Sequence, residues 1–422
     1  MIKKVLFSFF IFNLLFVIIL KCSAQTGFAI GESGTLLKTT NGGINWTSQA
    51  SGTNQVLWSS FFLNPSTGWI VGGTGATDIE TSLILKTTNG GATWVEQNAG
   101  VNHWLTSACF INAQTGWIAG SGRTVLKTTN GGTNWNVQMT DQDNLRLEEI
   151  WFVNENTGWV SAWAGIVLKT TNGGANWLTL NTGTPEDIYS LKVLSPTVAY
   201  GAGEHGVIIK TTNGGNNWTI LNSGTTMNLF SIHFNNLTTG WVVGHDGKIL
   251  KTTNEGATWI SQPSGTTVRL ESVDFLNDLT GWAVGGWTGS VILKTTNGGT
   301  NWTALSSGIN ESLFSINFPR GVSGIEPVNS SSPEGFHLYQ NYPNPFNPST
   351  TIPFSITKPG LVKIAVYDML GKQVAELVNQ NKQAGSYKVN FNSDKYSLTN
   401  GIYFYKFTSG DFSEVKKMML VK

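Results

Sequence analysis

Residues 38–46 read Lys38-Thr39-Thr40-Asn41-Gly42-Gly43-Ile44-Asn45-Trp46, and nearly the same nine residues return six more times before residue 303. The later copies begin at Lys86, Lys127, Lys169, Lys210, Lys251 and Lys294. The tryptophans that close the seven copies are separated, by subtraction, by 48, 41, 42, 41, 41 and 43 residues. A period in the low forties, with short β-type runs between Gly and Asn turns, is typical of a β-propeller with four strands in each blade.

One repeat shows this blade pattern clearly. Residues 229–259 contain four β-rich runs separated by turn residues, and a Gly-Trp pair opens the second run. We expect the large aromatic side chain at that place to fill the wedge between neighbouring sheets. The equivalent residues of the repeats are Trp69, Trp117, Trp159, Tyr200, Trp241 and Trp282.

The first repeat lacks its opening run. It begins at Gly27 with the pattern of a second strand, whereas residues 313–318 have the pattern of a first strand and are followed by no further blade. We expect this last strand to complete the first blade, so that no sheet edge is left exposed. The sequence therefore predicts an all-β fold, with a seven-bladed β-propeller over residues 25–318 closed by a shared first and last blade.

The repeated motif matches an Asp-box, Ser/Thr-x-Asp/Asn-x-Gly-x-x-Trp, with Asn in every copy. Asn tolerates left-handed geometry and bonds its own backbone, Gly supplies positive φ, and Trp anchors the hairpin to its sheet. Because a brace repeated seven times is not one active site, we predict a structural role. The residues concerned are Asn41, Trp46, Asn89, Trp94, Asn130, Trp135, Asn172, Trp177, Asn213, Trp218, Asn254, Trp259, Asn297 and Trp302.

Composition and the N-terminus indicate an exported protein that does not bind nucleic acid. Residues 25–320 carry 13 Lys/Arg against 18 Asp/Glu, without the clustered bases that phosphate recognition needs. Residues 1–24 combine Lys3 and Lys4 with an apolar run and end in Cys22-Ser23-Ala24, which predicts a cleaved secretory signal peptide. The alternatives are a transmembrane helix and a lipoprotein anchor on Cys22. Cleavage leaves Cys109, expected to be a buried small hydrophobe, as the sole cysteine.

On these repeats and Asp-boxes, residues 27–318 resemble the propellers of the photosystem II assembly and stability factor family and the wider BNR/Asp-box superfamily. The resemblance is specific for fold and weak for activity. Similarity to sialidases would imply a glycoside hydrolase with three arginines and a Tyr/Glu pair. Arg123, Arg146 and Arg269 are the arginines of residues 25–318, but no motif marks the Tyr/Glu pair, and sialidase propellers have six blades. We therefore expect no catalytic residue, no metal and no cofactor, with the hydrolase as the alternative.

Variable residues gather on one side of the predicted propeller. The loops between second and third strands share a face with the connections from a fourth strand to the next blade, and we call this side the loop face. It is the candidate binding surface, with an ordinary solvated rim as the alternative. Its candidates are His103, Arg123, Arg146, Trp163, Glu204, His205, His245, Asp246, Arg269 and Trp287. Glu149 stands where the other first strands carry serine; we expect it to meet water in an axial channel, with a ligand as the alternative.

The composition changes after residue 318. Residues 319–335 are rich in Ser, Pro and Gly and predict a linker. In residues 336–422, strand-like runs at 351–356, 361–367, 385–391, 401–407 and 414–421 predict a small Ig-like β-sandwich, with a hairpin turn at 368–372.

This tail resembles the type A C-terminal sorting domain of the type IX secretion system, through residues 344–348 (Asn-Pro-Phe-Asn-Pro), 366–368 (Val-Tyr-Asp) and 400–403 (Asn-Gly-Ile-Tyr). The resemblance implies export to the periplasm by the Sec route, engagement of the type IX machinery, and release or attachment at the outer surface. An Ig-like adhesion module is the alternative. We thus predict a monomeric, secreted or cell-surface binding propeller that recognises a glycan or an envelope or extracellular protein.

Overall fold

The computed structural model describes residues 25–74, 80–140, 145–287, 289–319, 336–341, 344–382, 385–410 and 412–421. The chain divides into two compact units, Met1–Ile325 and Glu326–Lys422. Signal residues 1–24 and almost all of the linker lie outside the described residues, and their assignments stay predictions. Where the chain is described, its helical elements are short 3-10 turns, and no helix is long and apolar enough to span a membrane.

The first unit is built from the repeats, and the all-β prediction is confirmed. Over the described residues, Gly27–Asn317 form seven four-stranded antiparallel sheets, numbered here in chain order. The strands of sheets 1 to 3, in hydrogen-bonded order, are Leu313–Asn317, Gly27–Gly31, Leu36–Thr39, Thr47–Ser48; Leu57–Phe62, Gly68–Gly72, Leu83–Thr87, Val95–Glu96; and Leu105–Phe110, Gly116–Gly120, Thr124–Thr128, Asn136–Met139.

The remaining four sheets repeat the same up-and-down order. The strands of sheets 4 and 5 are Leu147–Phe152, Gly158–Ala162, Ile166–Thr170, Leu178–Asn181; and Ile188–Val193, Ala199–Gly203, Ile208–Thr211, Thr219–Leu221. The strands of sheets 6 and 7 are Leu229–Phe234, Gly240–Gly244, Ile249–Thr252, Ile260–Gln262; and Leu270–Phe275, Gly281–Gly285, Val291–Thr295, Thr303–Leu305.

The last strand of the first unit belongs to sheet 1. Leu313–Asn317 pairs antiparallel with Gly27–Gly31, and Ala29 lies opposite Ile316. The first strands of consecutive sheets contact one another, and Leu313–Asn317 contacts the first strands of both sheet 7 and sheet 2. The first and last described strands of the unit therefore pair in one sheet.

Aromatic stacks join neighbouring sheets, as the sequence predicted. Trp117 is fully buried and stacks on Phe152 of the next sheet, with ring centroids 3.6 Å apart. The Asp-box Trp177 meets the edge of the same phenylalanine at 6.0 Å. Each such pair adds about 0.5–1.5 kcal/mol beyond burial. Stacks at the equivalent place join Phe28 to Phe62, Trp69 to Phe110, Tyr200 to Phe234, Trp241 to Phe275 and Trp282 to Phe318.

Side-chain hydrogen bonds close each Asp-box turn. In the first copy the Thr39 hydroxyl donates to Asn41 Oδ1 at 2.9 Å and accepts from the Gly43 N–H at 2.9 Å, while the Asn45 N–H donates to Asn41 Oδ1 at 3.0 Å. The same bonds recur in the other six copies. The left-handed residues are the two glycines, Gly42 with φ 69° and Gly43 with φ 82°, rather than the Asn.

The lysine that opens each motif has a role that the sequence did not reveal. Lys127 Nζ donates to the Gly173 carbonyl of the next sheet's Asp-box at 2.9 Å and lies 5.1 Å from the centroid of the Trp117 ring. Lys294 of sheet 7 donates to the Gly42 carbonyl of sheet 1 at 2.6 Å. The lysines therefore connect neighbouring sheets, including the last to the first.

The second unit has two sheets. Their strands are His337–Leu338, Ser349–Ile356 and Gly385–Asn392 in one, and Gln373–Lys382, Gly360–Tyr367, Gly401–Ser409 and Phe412–Leu420 in the other. The predicted turn is present, because Asp368 Oδ1 accepts from the Leu370 and Lys372 N–H groups at 2.9 Å each. Gln373–Lys382 was missing from the predicted strands, since its polar run does not alternate in strand fashion. Phe354, Tyr405 and Phe407 lie in the core of this unit.

Candidate functional site

A β-bulge recurs near the start of every first strand. In sheet 2, Leu57 pairs with Gly72 and Ser59 with Val71, so that Trp58 is an extra residue; comparable register shifts occur in the other sheets. A bulge bends its strand and redirects the extra side chain. At this place each strand adjoins the loop face. The second residues form what we call the central ring: Trp58, Thr106, Glu148, Tyr189, Phe230, Glu271 and Phe314.

Two neighbouring pairs in the central ring contact through their aromatic side chains. Trp58 stacks on Phe314 with ring centroids 4.7 Å apart, and Tyr189 lies 5.5 Å from Phe230. All members except Thr106 are partly exposed. Burial raises the pKa of Tyr189 to about 12, with a smaller contribution from nearby carboxylates, so the phenol stays neutral. The ring thus presents aromatic surface to solvent and holds two largely buried carboxylates.

The first of those carboxylates is paired with an arginine. Arg146 Nε lies 2.9 Å from Glu148 Oε1, and the Trp163 indole N–H donates to the same oxygen at 2.6 Å. The guanidinium carbon of Arg146 lies 4.5 Å from the centroid of the Trp104 ring. Burial raises the pKa of Glu148 to about 7, even though Arg146 and Trp163 act to lower it. Arg146 and Trp163 were both predicted from the sequence as binding residues. Glu148, which brings them together, was not among the predicted residues.

A second arginine unit repeats this arrangement. Arg269 Nη2 donates to Glu271 Oε2 at 3.1 Å, Nε contacts Oε1, and the guanidinium carbon lies 3.8 Å from the Phe230 centroid and 5.1 Å from that of Trp287. Burial raises the pKa of Glu271 as well, against the lowering effect of Arg269. The sequence carried a signal for both units, since Arg-Leu-Glu occurs at 146–148 and 269–271 and a Trp follows the second strand in both repeats.

Trp163 and Trp287 are the large aromatic side chains that stand out into solvent beside these units. Their exposed fractions are 40% and 70%. Exposed indoles next to arginines have the composition of a binding hot spot, because Trp and Arg contribute strongly to contacts that exclude water. The loop face therefore has a chemically distinct centre.

The predicted histidines lie in the loops of the loop face, which we call its rim. His103 Nδ1 lies 2.8 Å from Glu80 Oε2, which also accepts from the Ser121 hydroxyl at 3.0 Å. The His245 ring lies 5.1 Å from the Phe230 ring. Burial lowers the pKa of His245, and the positive charge of the nearby Arg269 makes a smaller contribution in the same direction.

Two predicted residues lie at left-handed turns of the same rim. Asp246 has φ 53° and Arg123 has φ 52°; the Arg123 N–H donates to the Leu145 carbonyl at 2.8 Å.

One rim cluster has ligand types that suit a divalent cation. Glu186, Glu204 and His205 each place one donor atom within 4.8 Å of the others. His205 Nδ1 lies 2.7 Å from Glu186 Oε2, and this contact raises the pKa of His205. The cluster is open to solvent and the imidazole already has a carboxylate partner, so an ion pair accounts for its geometry without a metal.

Glu149 differs from its predicted environment. Its Oε2 accepts from the Ser190 hydroxyl at 2.6 Å and the Leu191 N–H at 2.8 Å, and its Oε1 accepts from the Trp151 indole at 3.0 Å. In other sheets a serine hydroxyl accepts the equivalent N–H of the next sheet. Those serines are Ser107, Ser190, Ser231, Ser272 and Ser315. Both Glu149 oxygens are thus taken by protein donors, and burial raises the pKa of this carboxyl group.

Fold and surface together define a β-propeller protein with an aromatic, arginine-containing face and a separate C-terminal unit. The family described as photosynthesis system II assembly factor YCF48 matches residues 93–226 and 218–313, which span more than half of the chain. The chain belongs to this family. Residues 340–422 match the secretion system C-terminal sorting domain, which identifies an exported protein of the secreted or cell-surface class. No curated protein matches the chain.

Three solved structures are similar to this chain. A YCF48 bound to a D1 peptide is 18% identical over 71% of this chain and 88% of that chain, with a TM-score of 0.50. YCF48 from Cyanidioschyzon merolae is 18% identical, covering 81% and 96%, with a TM-score of 0.49. A GH74 xyloglucanase from Xanthomonas campestris is 10% identical, covering 79% and 56%, with a TM-score of 0.54. At these identities the likeness concerns the fold alone.

Proposed function

We propose that this chain is a non-catalytic binding propeller that holds an extended segment of another secreted or envelope protein on its loop face. The seven sheets act as seven blades of a closed ring, which gives the central ring a rigid support. Residues 1–24 direct Sec export, 319–335 link the units, and 336–422 form an Ig-like sandwich that engages the type IX machinery. The mature protein works as a monomer without a cofactor.

The central ring with its two exposed tryptophans carries this proposal. Trp58, Tyr189, Phe230 and Phe314 come from different sheets and remain partly exposed, although a folded chain gains by burying such side chains. A partner that covers them would gain about 25 cal/mol for each Å² of apolar surface removed from water. The D1 peptide in the similar YCF48 structure supports a polypeptide as the partner class.

The arrangement of the arginines favours binding over sialidase-type catalysis. A clamp for a substrate carboxylate needs free guanidinium groups, whereas Arg146 and Arg269 are already paired with Glu148 and Glu271. A secreted glycoside hydrolase remains the second candidate, because the pKa of Glu148, raised by burial to about 7, suits a general acid. Release of soluble sugar from xyloglucan or sialosides, lost in Glu148→Gln, would establish that function instead.

Site-directed photocross-linking tests the proposal. A benzoylphenylalanine placed at Trp287 lies on the loop face, and the matched control at Ile260 lies on an outer strand with a similar exposed fraction, 62% against 70%. We expect cross-links to polypeptide in the native culture from position 287 and not from 260, competed by unlabelled mature protein. Equal cross-linking from both positions would refute the proposed site. Adducts that consist of carbohydrate would favour the glycan alternative.

A further inference from the structure

The charges of the first unit are divided between its two sides. The seven motif lysines all lie at the Asp-box side, because the Asp-box follows the third strand of each sheet. They are Lys38, Lys86, Lys127, Lys169, Lys210, Lys251 and Lys294. Six of them donate to backbone carbonyls of the next sheet. More than half of the Lys and Arg residues of this unit are therefore held away from the loop face.

The loop face carries the opposite charge around its aromatic centre. We define its acidic rim as the carboxylates in the described loops of this face, all of them at least partly exposed. The acidic rim consists of Glu32, Glu80, Glu186, Asp187, Glu204, Asp246 and Glu311. Arg123, Arg146, Lys248 and Arg269 are the Arg and Lys residues of the same described loops. Seven carboxylates thus face four such cations, two of which, Arg146 and Arg269, are paired with glutamates of the central ring.

The arginines at the centre do not offset this excess. Arg146 and Arg269 are each neutralised by a glutamate of the central ring, so the two units add no net charge while those glutamates are ionised. Within the acidic rim, Glu204 accepts no side-chain hydrogen bond from any described residue. Its neighbour Glu186 has His205 as its side-chain partner among the described residues, with Nδ1 2.7 Å from Oε2. These two carboxylates lie within 4.8 Å of each other, so they concentrate negative charge at one place on the rim.

We propose that the segment bound at the loop face is basic: an extended stretch whose Lys or Arg side chains reach the acidic rim while apolar or aromatic residues between them pack on the central ring. This inference rests on the proposed function and names the chemistry of its partner. Opposite charge across an interface speeds encounter and excludes acidic competitors, because like charges brought together raise the free energy of the complex. Trp163 and Trp287 lie between the acidic rim and the central ring, where the aliphatic parts of Lys or Arg side chains can pack against them.

Fluorescence anisotropy on the mature full chain tests the inference. The probes are three labelled peptides that alternate tyrosine with lysine, glutamine or glutamate. We expect the lysine peptide to bind most tightly, and its affinity to fall as salt rises from about 0.1 M to about 1 M, where the Debye length shrinks from about 10 Å to about 3 Å. Glu186→Gln and Glu204→Gln should weaken it by roughly two- to fivefold for each carboxylate removed, the range of an exposed ion pair.

A matched control separates the acidic rim from net charge. Glu96 and Glu155 are exposed carboxylates outside the loop face, so Glu96→Gln with Glu155→Gln makes the same change in net charge and should leave binding unaltered. Equal effects of the two double variants would overturn the acidic rim as the determinant.

The outcomes also separate this inference from the proposed function. Binding that is lost in Trp287→Ala but is equal for all three peptides would retain the proposed function and overturn the basic partner. A preference for the glutamate peptide would likewise overturn it. If no peptide binds while the photocross-linker at position 287 captures carbohydrate, the proposed function and the inference both fall.

Discussion

Replacing Glu149 with alanine decides whether this carboxylate supports the fold or serves a ligand. Its oxygens accept three hydrogen bonds, two of them from the neighbouring sheet 5 through Ser190 and Leu191. Hydrogen bonds to a charged group contribute about 1.5–3 kcal/mol each. The burial that raises the pKa of Glu149 offsets part of this gain. We therefore expect Glu149→Ala to lower the free energy of unfolding by about 3 kcal/mol.

A serine at the equivalent place gives the matched comparison. Ser231 accepts one hydrogen bond, from the Val273 N–H at 3.3 Å, so Ser231→Ala should cost about 1 kcal/mol, the typical contribution of one uncharged bond. Urea unfolding of the full chain, followed by tryptophan fluorescence, measures both. All 17 tryptophans lie between residues 46 and 302, so the signal reports on the propeller alone. Unchanged slopes against urea would show that the difference is one of stability.

The reasoning fails if Glu149→Ala costs no more than Ser231→Ala. It also fails if Glu149→Ala abolishes peptide binding or sugar release while the urea midpoint stays at the wild-type value. In that event the three hydrogen bonds would be incidental, and Glu149 would belong to a ligand site.

Three further outcomes can be checked with the same unfolding assay. Ile316→Ala and Ile232→Ala remove equivalent side chains, each 4% exposed, and should both cost about 2–5 kcal/mol because the last strand is part of sheet 1; a negligible cost at Ile316 alone would argue against ring closure. Lys294→Ala removes the bond to the Gly42 carbonyl and should lower the free energy of unfolding by about 1–2 kcal/mol; an unchanged urea midpoint would show that this lysine does not stabilise the contact between sheets 7 and 1. The pKa of Glu148 is raised from 4.5 to about 7, so the protonated carboxyl group stabilises the fold at low pH. The free energy of unfolding should fall as the pH rises from 4.5 to about 7, by up to about 1.4 kcal/mol for each pH unit. Glu148→Gln should reduce this dependence on pH, and identical pH dependence in variant and wild type would refute the raised pKa.

The pattern of the repeats allowed the all-β architecture, the order of strands and the aromatic packing to be predicted. These features depend on contiguous residues: Gly-Trp opens a strand, and Thr-x-Asn-x-Gly closes its own turn through bonds that span four positions. The pairing of residues 313–317 with Gly27–Gly31 could also be inferred, because the first repeat lacks a first strand and an additional first-strand pattern follows the last repeat.

The central ring could not be read in the same way. Alternation assigns each side chain of a strand to one of two faces, but the bulge at Trp58 and its equivalents adds a residue and shifts the side chains that follow. Sequence reasoning therefore placed the third residues of the first strands at the axis. In the structure, Glu149 accepts a hydrogen bond from Leu191 of the next sheet, while Glu148 forms an ion pair with Arg146.

What the sequence by itself determined is thus the repeating unit and the number of its copies, since local propensity and turn chemistry are complete within each copy. Only the tertiary structure decided which side chains meet. Arg146 contacts Trp58 and Trp104, which belong to two other sheets, and Lys294 contacts Gly42 of the neighbouring sheet 1, 252 residues away in the chain. Such contacts depend on strand register and on neighbours far away in the chain, and a periodic pattern leaves these undetermined.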